Sequence, residues 1–213
     1  MWYRRTLGKK FRQKRFKIFL DKIKLINGPI RILDIGGKFN FWEDMGIKKL
    51  FDINEQISIT LINLNKENIK HDSFTSIIGN ATDLKQFNDN EFDIVFSNSV
   101  IEHLFNYEEQ RKMANESMRV ATNYFIQTPN KYFLIEPHYF FPLFQFMPYG
   151  LKKFFMMKTK FVLGKFHDKK SVQRAHDEIR LLSKKELNNL FPDGKIYNEK
   201  IFGFNKSFMI TNI

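Results

Sequence analysis

The chain has 213 residues and no cysteine, and 35 Lys and Arg stand against 23 Asp and Glu for a net charge of +12. That length predicts one domain, burying about 70% of the surface its unfolded chain exposes, with no room for a second catalytic domain. The missing cysteines exclude disulfides, thiolate nucleophiles and Cys-ligated zinc, and they are compatible with a cytoplasmic location.

The charge is clustered. Residues 1–24 carry +9 and residues 151–170 carry +6, which leaves −3 for everything else. The excess therefore describes two attachment surfaces and not the centre of the protein, unless it reflects only a Lys-rich genome. In chain order, the first element is residues 9–26, KKFRQKRFKIFLDKIKLI, where Phe11, Phe16, Phe19, Leu20 and Ile23 recur mostly every three to five positions among Lys and Arg. The spacing predicts an amphipathic helix with a basic face, within an N-terminal segment 1–28. Such a helix either covers the sheet with a solvated outer side or attaches to an anionic membrane or a nucleic-acid backbone. It lacks the uninterrupted apolar region and small-residue site of a cleaved signal.

Asn27-Gly28-Pro29 breaks that helix, and IRILDIGG follows as an apolar run into Gly36-Gly37, a buried first strand ending in a tight turn. After the two glycines come Lys38-Phe39-Asn40-Phe41-Trp42-Glu43, so the GxGxxG of a nicotinamide enzyme is absent. Gln56 to Leu64 reads as the second strand, with Asn63 at its end. Ser76 to Ile78 is a third β-prone run, stopped by Gly79-Asn80, and Phe92 to Phe96 a fourth, ending in Ser97-Asn98-Ser99. In an open parallel α/β sheet ligands bind beyond the carboxyl ends of the strands, which makes these polar ends pocket-lining candidates.

Gly79-Asn80-Ala81, Asp83-Leu84, Phe92-Asp93 and Glu102-His103-Leu104 stand in the order and at the spacing of one family. From about Ile30 to about Asn130, and more loosely to its end, the chain resembles the class I S-adenosylmethionine-dependent methyltransferases of the type 11 kind. The resemblance implies an α/β fold, with a doubly wound, mostly parallel, seven-stranded Rossmann-like sheet and a C-terminal antiparallel hairpin. It also implies S-adenosylmethionine as cofactor and no metal. The implied cofactor contacts are Asp34, Ile35, Gly36 and Gly37 at the first turn, Asn63 and Leu64 at the ribose, Asn80 and Ala81 near the adenine, and Ser97 and Asn98 after the fourth strand. Acidic residues are common in the family where this chain has Asn63 and Asn80. Amides still accept hydrogen bonds but lack the charge that strengthens them, which predicts weaker cofactor binding. Phe41 and Trp42 are expected to pack the next helix on the sheet.

Asn106 with Glu109 forms an N-x-x-E start for a helix to about Arg119, and residues 121–130 read as a fifth strand closed by Pro129. Residues 131–182 then form an insert dense in Phe, Tyr and Met and followed by lysines. Prolines at 137, 142 and 148 keep it from forming one spanning helix, which needs about 20 unbroken apolar residues. It reads either as a lid packed on the sheet or as a segment at a membrane interface or over an apolar substrate. Its EPH-x-x-FP-x-x-QF pattern is similar to that of one branch of the family, which implies a substrate-side element. Ser183 to Glu186 is a capping box opening a helix to Leu190, and Lys195 to Phe202 with Lys206 to Ile213 reads as a hairpin joined by Gly203-Phe204-Asn205.

Methyl transfer to oxygen or nitrogen is an in-line displacement, in which positioning supplies much of the rate and a base removes the acceptor's proton where needed. His103 is the leading base candidate, Glu102 its orienting partner or simply a helix start, and His138 and Glu136 come second. Three functions compete. The first is a methyltransferase for a small-molecule or lipid- or glycan-linked acceptor, either cytoplasmic or peripheral at an anionic membrane. The second is an RNA methyltransferase, favoured by the basic N-terminus but lacking an NPPY-type tetrad where SNSV stands. The third is a catalytically silent binding protein on the same fold.

Overall fold

The structure, a computed structural model, describes residues 2–136, 139, 141–158 and 168–213, with side chains described from residue 8. The main sheet is built from β1 (Ile30–Ile35), β2 (Ile57–Asn63), β3 (Phe74–Ile78), β4 (Phe92–Asn98), β5 (Ala121–Pro129), β8 (Lys195–Ile201) and β9 (Phe204–Thr211), in the order β3-β2-β1-β4-β5-β9-β8. β9 runs antiparallel to both of its neighbours, and the pairs among the first five strands are parallel. This is the doubly wound sheet the sequence predicts. The order reverses between β1 and β4, which places a ligand crevice at their carboxyl ends.

Alternation along the strands divides the core into two layers. Leu33, Ile35, Val95, Tyr124 and Ile126 face one side, where α4 (Tyr107–Val120) and α7 (Lys184–Leu190) pack. Ile32, Ile94, Phe96 and Phe125 face the other, where they meet α1 (Trp2–Ile23) and α2 (Phe39–Met45). A short α3 (Lys48–Phe51) adds Leu50 to this second layer. α1 begins before the predicted helix and stops at Ile23, because the following residues tighten into i→i−3 bonds such as Ile26 N–H to Ile23 O at 2.9 Å. Phe16, Phe19, Leu20 and Ile23 are buried, and the Phe19 ring lies 4.6 Å from Phe96 and 5.3 Å from Phe125. Each such burial is worth about 1.5–3 kcal/mol, so the apolar side of the basic helix belongs to the sheet. Lys10, Lys14 and Lys17 form its solvated side.

Both helix starts read from the sequence are present. Asn106 Oδ1 accepts from Glu109 N–H at 2.9 Å, although the Glu109 carboxylate turns to Lys112 instead of back to the cap. Ser183 and Glu186 cap each other reciprocally. The terminal hairpin differs from its predicted form. Its loop is Phe202-Gly203, with φ of 48° and 84°, and Phe204 and Asn205 already belong to β9. Two successive positive φ values are the type I′ turn that matches the right-handed twist of the flanking strands.

The insert folds on itself. It contains a two-residue ladder of β6 (Ile135–Glu136) and β7 (Phe141–Pro142), a 3-10 turn (Phe144–Phe146), α5 (Tyr149–Lys158) and α6 (Lys169–Asp177). Tyr139, Phe144, Met156 and Val172 form a separate small core. Among the described residues no helix is long and apolar enough to cross a membrane. His138 lies outside the described residues.

Candidate active site

The first turn is built by a buried carboxylate. Asp34, 1% exposed at the end of β1, accepts a 2.8 Å hydrogen bond from Trp42 Nε1, so the indole of α2 holds the acid that underlies the glycines. Gly36 has φ of 72°, and a Cβ there would strike Val100 Cγ2 at 2.6 Å. A Cβ on Gly37 would fall 1.7 Å from Asp34 Oδ2. Both positions therefore require glycine, and their backbone lies open to a ligand. Burial pushes the Asp34 carboxyl up to about 8, against the pull of the Trp42 hydrogen bond. Its Oδ1 is buried without a hydrogen-bond partner among the described residues.

Two cavities meet at Gly36. One, about 420 Å³, runs along Asn63, Leu64, Gly79, Asn80 and Ala81 to Val100, His103 and Glu178, and also touches Ile35. The other, about 330 Å³, runs along Asp34, Gly37, Lys38, Asn40 and Phe41 to Asn98 and Arg12. Together they form a cleft across the carboxyl ends of β1, β2, β3 and β4. Its two halves have different chemistry: the first is mostly apolar with two amides, and the second is charged.

The amide at position 63 has a structural reason. Asn63 Nδ2 faces the carbonyls of Gly36 and Gly37, each at 3.4 Å, and Asn63 Oδ1 accepts from Leu64 N–H at 2.8 Å. A carboxylate could not donate toward those carbonyls and would be repelled by them. Asn80 Oδ1 accepts from Thr82 N–H and Oγ1 at 3.1 and 3.0 Å, which fixes the turn after β3. Gly79 beside it has no room for a Cβ, which would meet Ile62 Cδ1 at 2.4 Å.

The remaining sequence candidates divide. Ser97 is fully buried, its hydroxyl donates to Ile35 O at 3.3 Å, and it lines neither cavity. It joins β1 to β4 because the strand continues through Asn98, turning Ser97 inward. Ser99, at φ 60°, donates from Oγ to Gln127 Oε1 at 2.7 Å and closes the strand end. Glu102 is also fully buried and lines neither cavity; Thr128 Oγ1 donates to its Oε2 at 3.2 Å, and its carbonyl accepts from Arg180 N–H at 2.8 Å. It holds the 3-10 turn (Ile101–His103) to β5 and to the insert. His103 is exposed and lines the larger cavity, next to the amide positions. Phe41 lines the smaller cavity as well as packing against Trp42, in contrast to its expected purely structural place.

Sequence reasoning missed two residues. Arg12 reaches the smaller cavity from α1, a helix read as an attachment surface. Glu178 reaches the larger one from the end of the insert, in the cavity that His103 also lines. No motif marks either position, since both arrive from segments distant in sequence.

Residues 48–123 match the family model described as a methyltransferase domain. Over that stretch the chain carries a methyltransferase domain. S-adenosylmethionine is the cofactor of this methyltransferase, and the bare glycine turn, the buried Asp34 with its orphaned oxygen and the two-part cleft fit a molecule with an adenosine end and a zwitterionic amino-acid end. Solved structures share the methyltransferase's fold at low identity. An S-adenosylmethionine-dependent methyltransferase from Methanosarcina mazei is 17% identical over 87% of this chain and 92% of its own, with a TM-score of 0.50. One from Aquifex aeolicus is 13% identical over 92% and 87%, with a TM-score of 0.51. A chain from a Haloferax volcanii complex between the methyltransferase activator Trm112 and a methyltransferase is 11% identical over 99% and 92%, with a TM-score of 0.52. No curated protein sequence matches the chain.

Proposed function

We propose that the methyltransferase acts on an oxygen or nitrogen of a small-molecule or lipid- or glycan-linked acceptor, in the cytoplasm at an anionic membrane surface. The cofactor supplies a methyl group on a sulfonium. Asp34 and the Gly36-Gly37 backbone face its amino group, and Arg12 takes its carboxylate by a charge-assisted hydrogen bond. Asn63 and Leu64 border the ribose, and Asn80 and Ala81 the adenine. His103, with Glu178 lining the same cavity, receives the acceptor's proton, and Glu102 and Asn98 position the turn that carries it.

The observation that carries the acceptor class is the exposed apolar side of the insert. Leu134, Ile135, Leu143, Phe146, Leu151 and Phe154 are all exposed. The bond from Leu143 N–H to Leu134 O at 2.8 Å joins two of them, and Phe146 stacks on the exposed Tyr132 with ring centroids 5.9 Å apart. Exposed apolar side chains of this kind mark interaction surfaces, and the +6 that the sequence carries over residues 151–170 favours an anionic partner. Since the sheet occupies the apolar side of α1, that helix contributes only its lysines, at about 1 kcal/mol each near an anionic surface.

Sedimentation with anionic and neutral vesicles at low and high salt tests this reading. Binding to anionic vesicles that weakens with salt but keeps a salt-resistant part, lost in a Phe146→Ser/Phe154→Ser double variant, supports it. Indifference to vesicles combined with steeply salt-dependent RNA binding overturns it in favour of an RNA acceptor.

A further inference from the structure

A third cavity, about 170 Å³, lies inside the insert, away from the cofactor cleft. One strand of chain separates the two: Glu178 lines the larger half of the cleft, while Ile179, Arg180 and Leu181 wall the insert cavity. Phe144 and Tyr139 supply aromatic surface, and the polar groups are Lys131, Lys152, Glu136, Gln145 and His176.

Three features indicate what it holds. Gln145 Nε2 donates to the carbonyls of Lys131 and Phe133 at 3.0 and 2.7 Å, which fixes the amide so that Oε1 is the other end. That Oε1 is buried with no hydrogen-bond partner among the described residues, and a buried acceptor left so costs about 1–3 kcal/mol until a donor arrives. The Lys152 ammonium sits 5.9 Å over the Phe144 ring, where burial lowers its affinity for its proton and Glu136 only partly compensates. Arg180 is committed to Gln110 and Glu186, so among the described residues Lys131 and Lys152 are the lysines that line the space. Two ammonium groups against one carboxylate favour an anion, and the orphaned amide oxygen requires a hydroxyl or amine beside it.

We propose that this cavity is the acceptor's headgroup pocket and takes a phosphate ester flanked by hydroxyls, a polyol or sugar phosphate. The phosphate meets Lys131 and Lys152, and a hydroxyl donates to Gln145 Oε1. Its volume is enough for a headgroup, and Gln145 adjoins the exposed Phe146, so an apolar remainder lies along the outer surface of the insert. The inference rests on the acceptor reading above and gives it a chemical class. The headgroup has two sources, a phospholipid or a free sugar phosphate.

Calorimetric titration of the full chain with sn-glycerol 3-phosphate, inorganic phosphate and glycerol tests the pocket. Glycerol 3-phosphate is expected to bind about tenfold or more tightly than either of the others, because only it satisfies both the lysines and the amide. Lys152→Met is expected to weaken it about tenfold, and Gln145→Leu to abolish its advantage over inorganic phosphate, with S-adenosylhomocysteine affinity and melting temperature unchanged. Lys131→Met carries the same expectation should Lys152→Met fold poorly. Equal affinity for glycerol 3-phosphate and inorganic phosphate, or undiminished binding in both lysine variants, overturns the proposal. Competition by glycerol 3-phosphate against binding to phosphatidylglycerol vesicles assigns the headgroup to a lipid, and its absence assigns it to a soluble phosphate. Failure of the wild type to bind S-adenosylhomocysteine would strike the cofactor reading and leave this pocket standing.

Discussion

Trp42 Nε1 donates to Asp34 Oδ2 at 2.8 Å across a turn that has no space for a side chain, so helix α2 and strand β1 hold one carboxyl between them. Because burial raises the Asp34 carboxyl to about 8 in the folded protein, the native state keeps a proton that the unfolded chain releases near pH 4. Native protein therefore binds more protons through that window, and stability falls as pH rises from about 4 to 8 and levels off above. Thermal melts of the cofactor-free protein at pH 5 and pH 8 measure the slope. Asp34→Asn is expected to flatten it, and an unchanged slope in that variant would place the titration elsewhere. Trp42→Phe removes the donor and is expected to cost about 1–3 kcal/mol in denaturant unfolding.

The same turn sets a steric prediction. Gly37→Ala places a methyl 1.7 Å from Asp34 Oδ2, and the displacement it forces is expected to cost on the order of 1–3 kcal/mol and to abolish cofactor binding. Chemical denaturation and calorimetry read the two effects separately. A variant that binds S-adenosylhomocysteine normally would show that this backbone is not part of the site.

Arg12 projects from α1 into the half of the cleft that contains Asp34 and Gly37. A charge-assisted hydrogen bond contributes about 1.5–3 kcal/mol, so Arg12→Ala is expected to weaken S-adenosylhomocysteine about 10–100-fold. Adenosine, which lacks the carboxylate, is expected to bind the variant and the wild type equally. Equal losses for both ligands would mean a displaced helix and no direct contact.

His103 shares its cavity with Asn63 and Asn80 as well as with Glu178, so it borders both cofactor and acceptor. His103→Ala is expected to lower turnover about 10²–10⁴-fold at saturating cofactor while changing cofactor affinity less than tenfold. Turnover that recovers fully at high cofactor concentration would assign the imidazole to cofactor binding instead.

The strands, their order of appearance and both capped helices were legible because each depends on neighbours in the chain. IRILDI and FDIVF are apolar runs ended by glycine or small polar residues, and Asn106, Ser183 and Glu186 cap within one turn of themselves. The glycine turn was legible for the same reason, as were Asn63, Asn80 and His103, which follow strand ends. The hairpin loop begins one residue earlier and ends two residues earlier than its sequence suggests, since Phe202 at positive φ has no signal in its own identity and is held there by the strands it joins.

Sequence by itself thus determined the α/β architecture, the strand-end cleft and the methyltransferase resemblance, all encoded by local periodicity and short motifs. Only the tertiary structure decided which side chains enter that cleft. It turned Ser97 and Glu102 inward, because strand alternation and a 3-10 turn aim them at buried partners on β1 and β5. It brought Arg12 and Glu178 in from segments at opposite ends of the chain, and it gave the apolar side of α1 to the sheet. Burial and convergence depend on contacts between residues far apart in sequence, and no spacing within one segment encodes them.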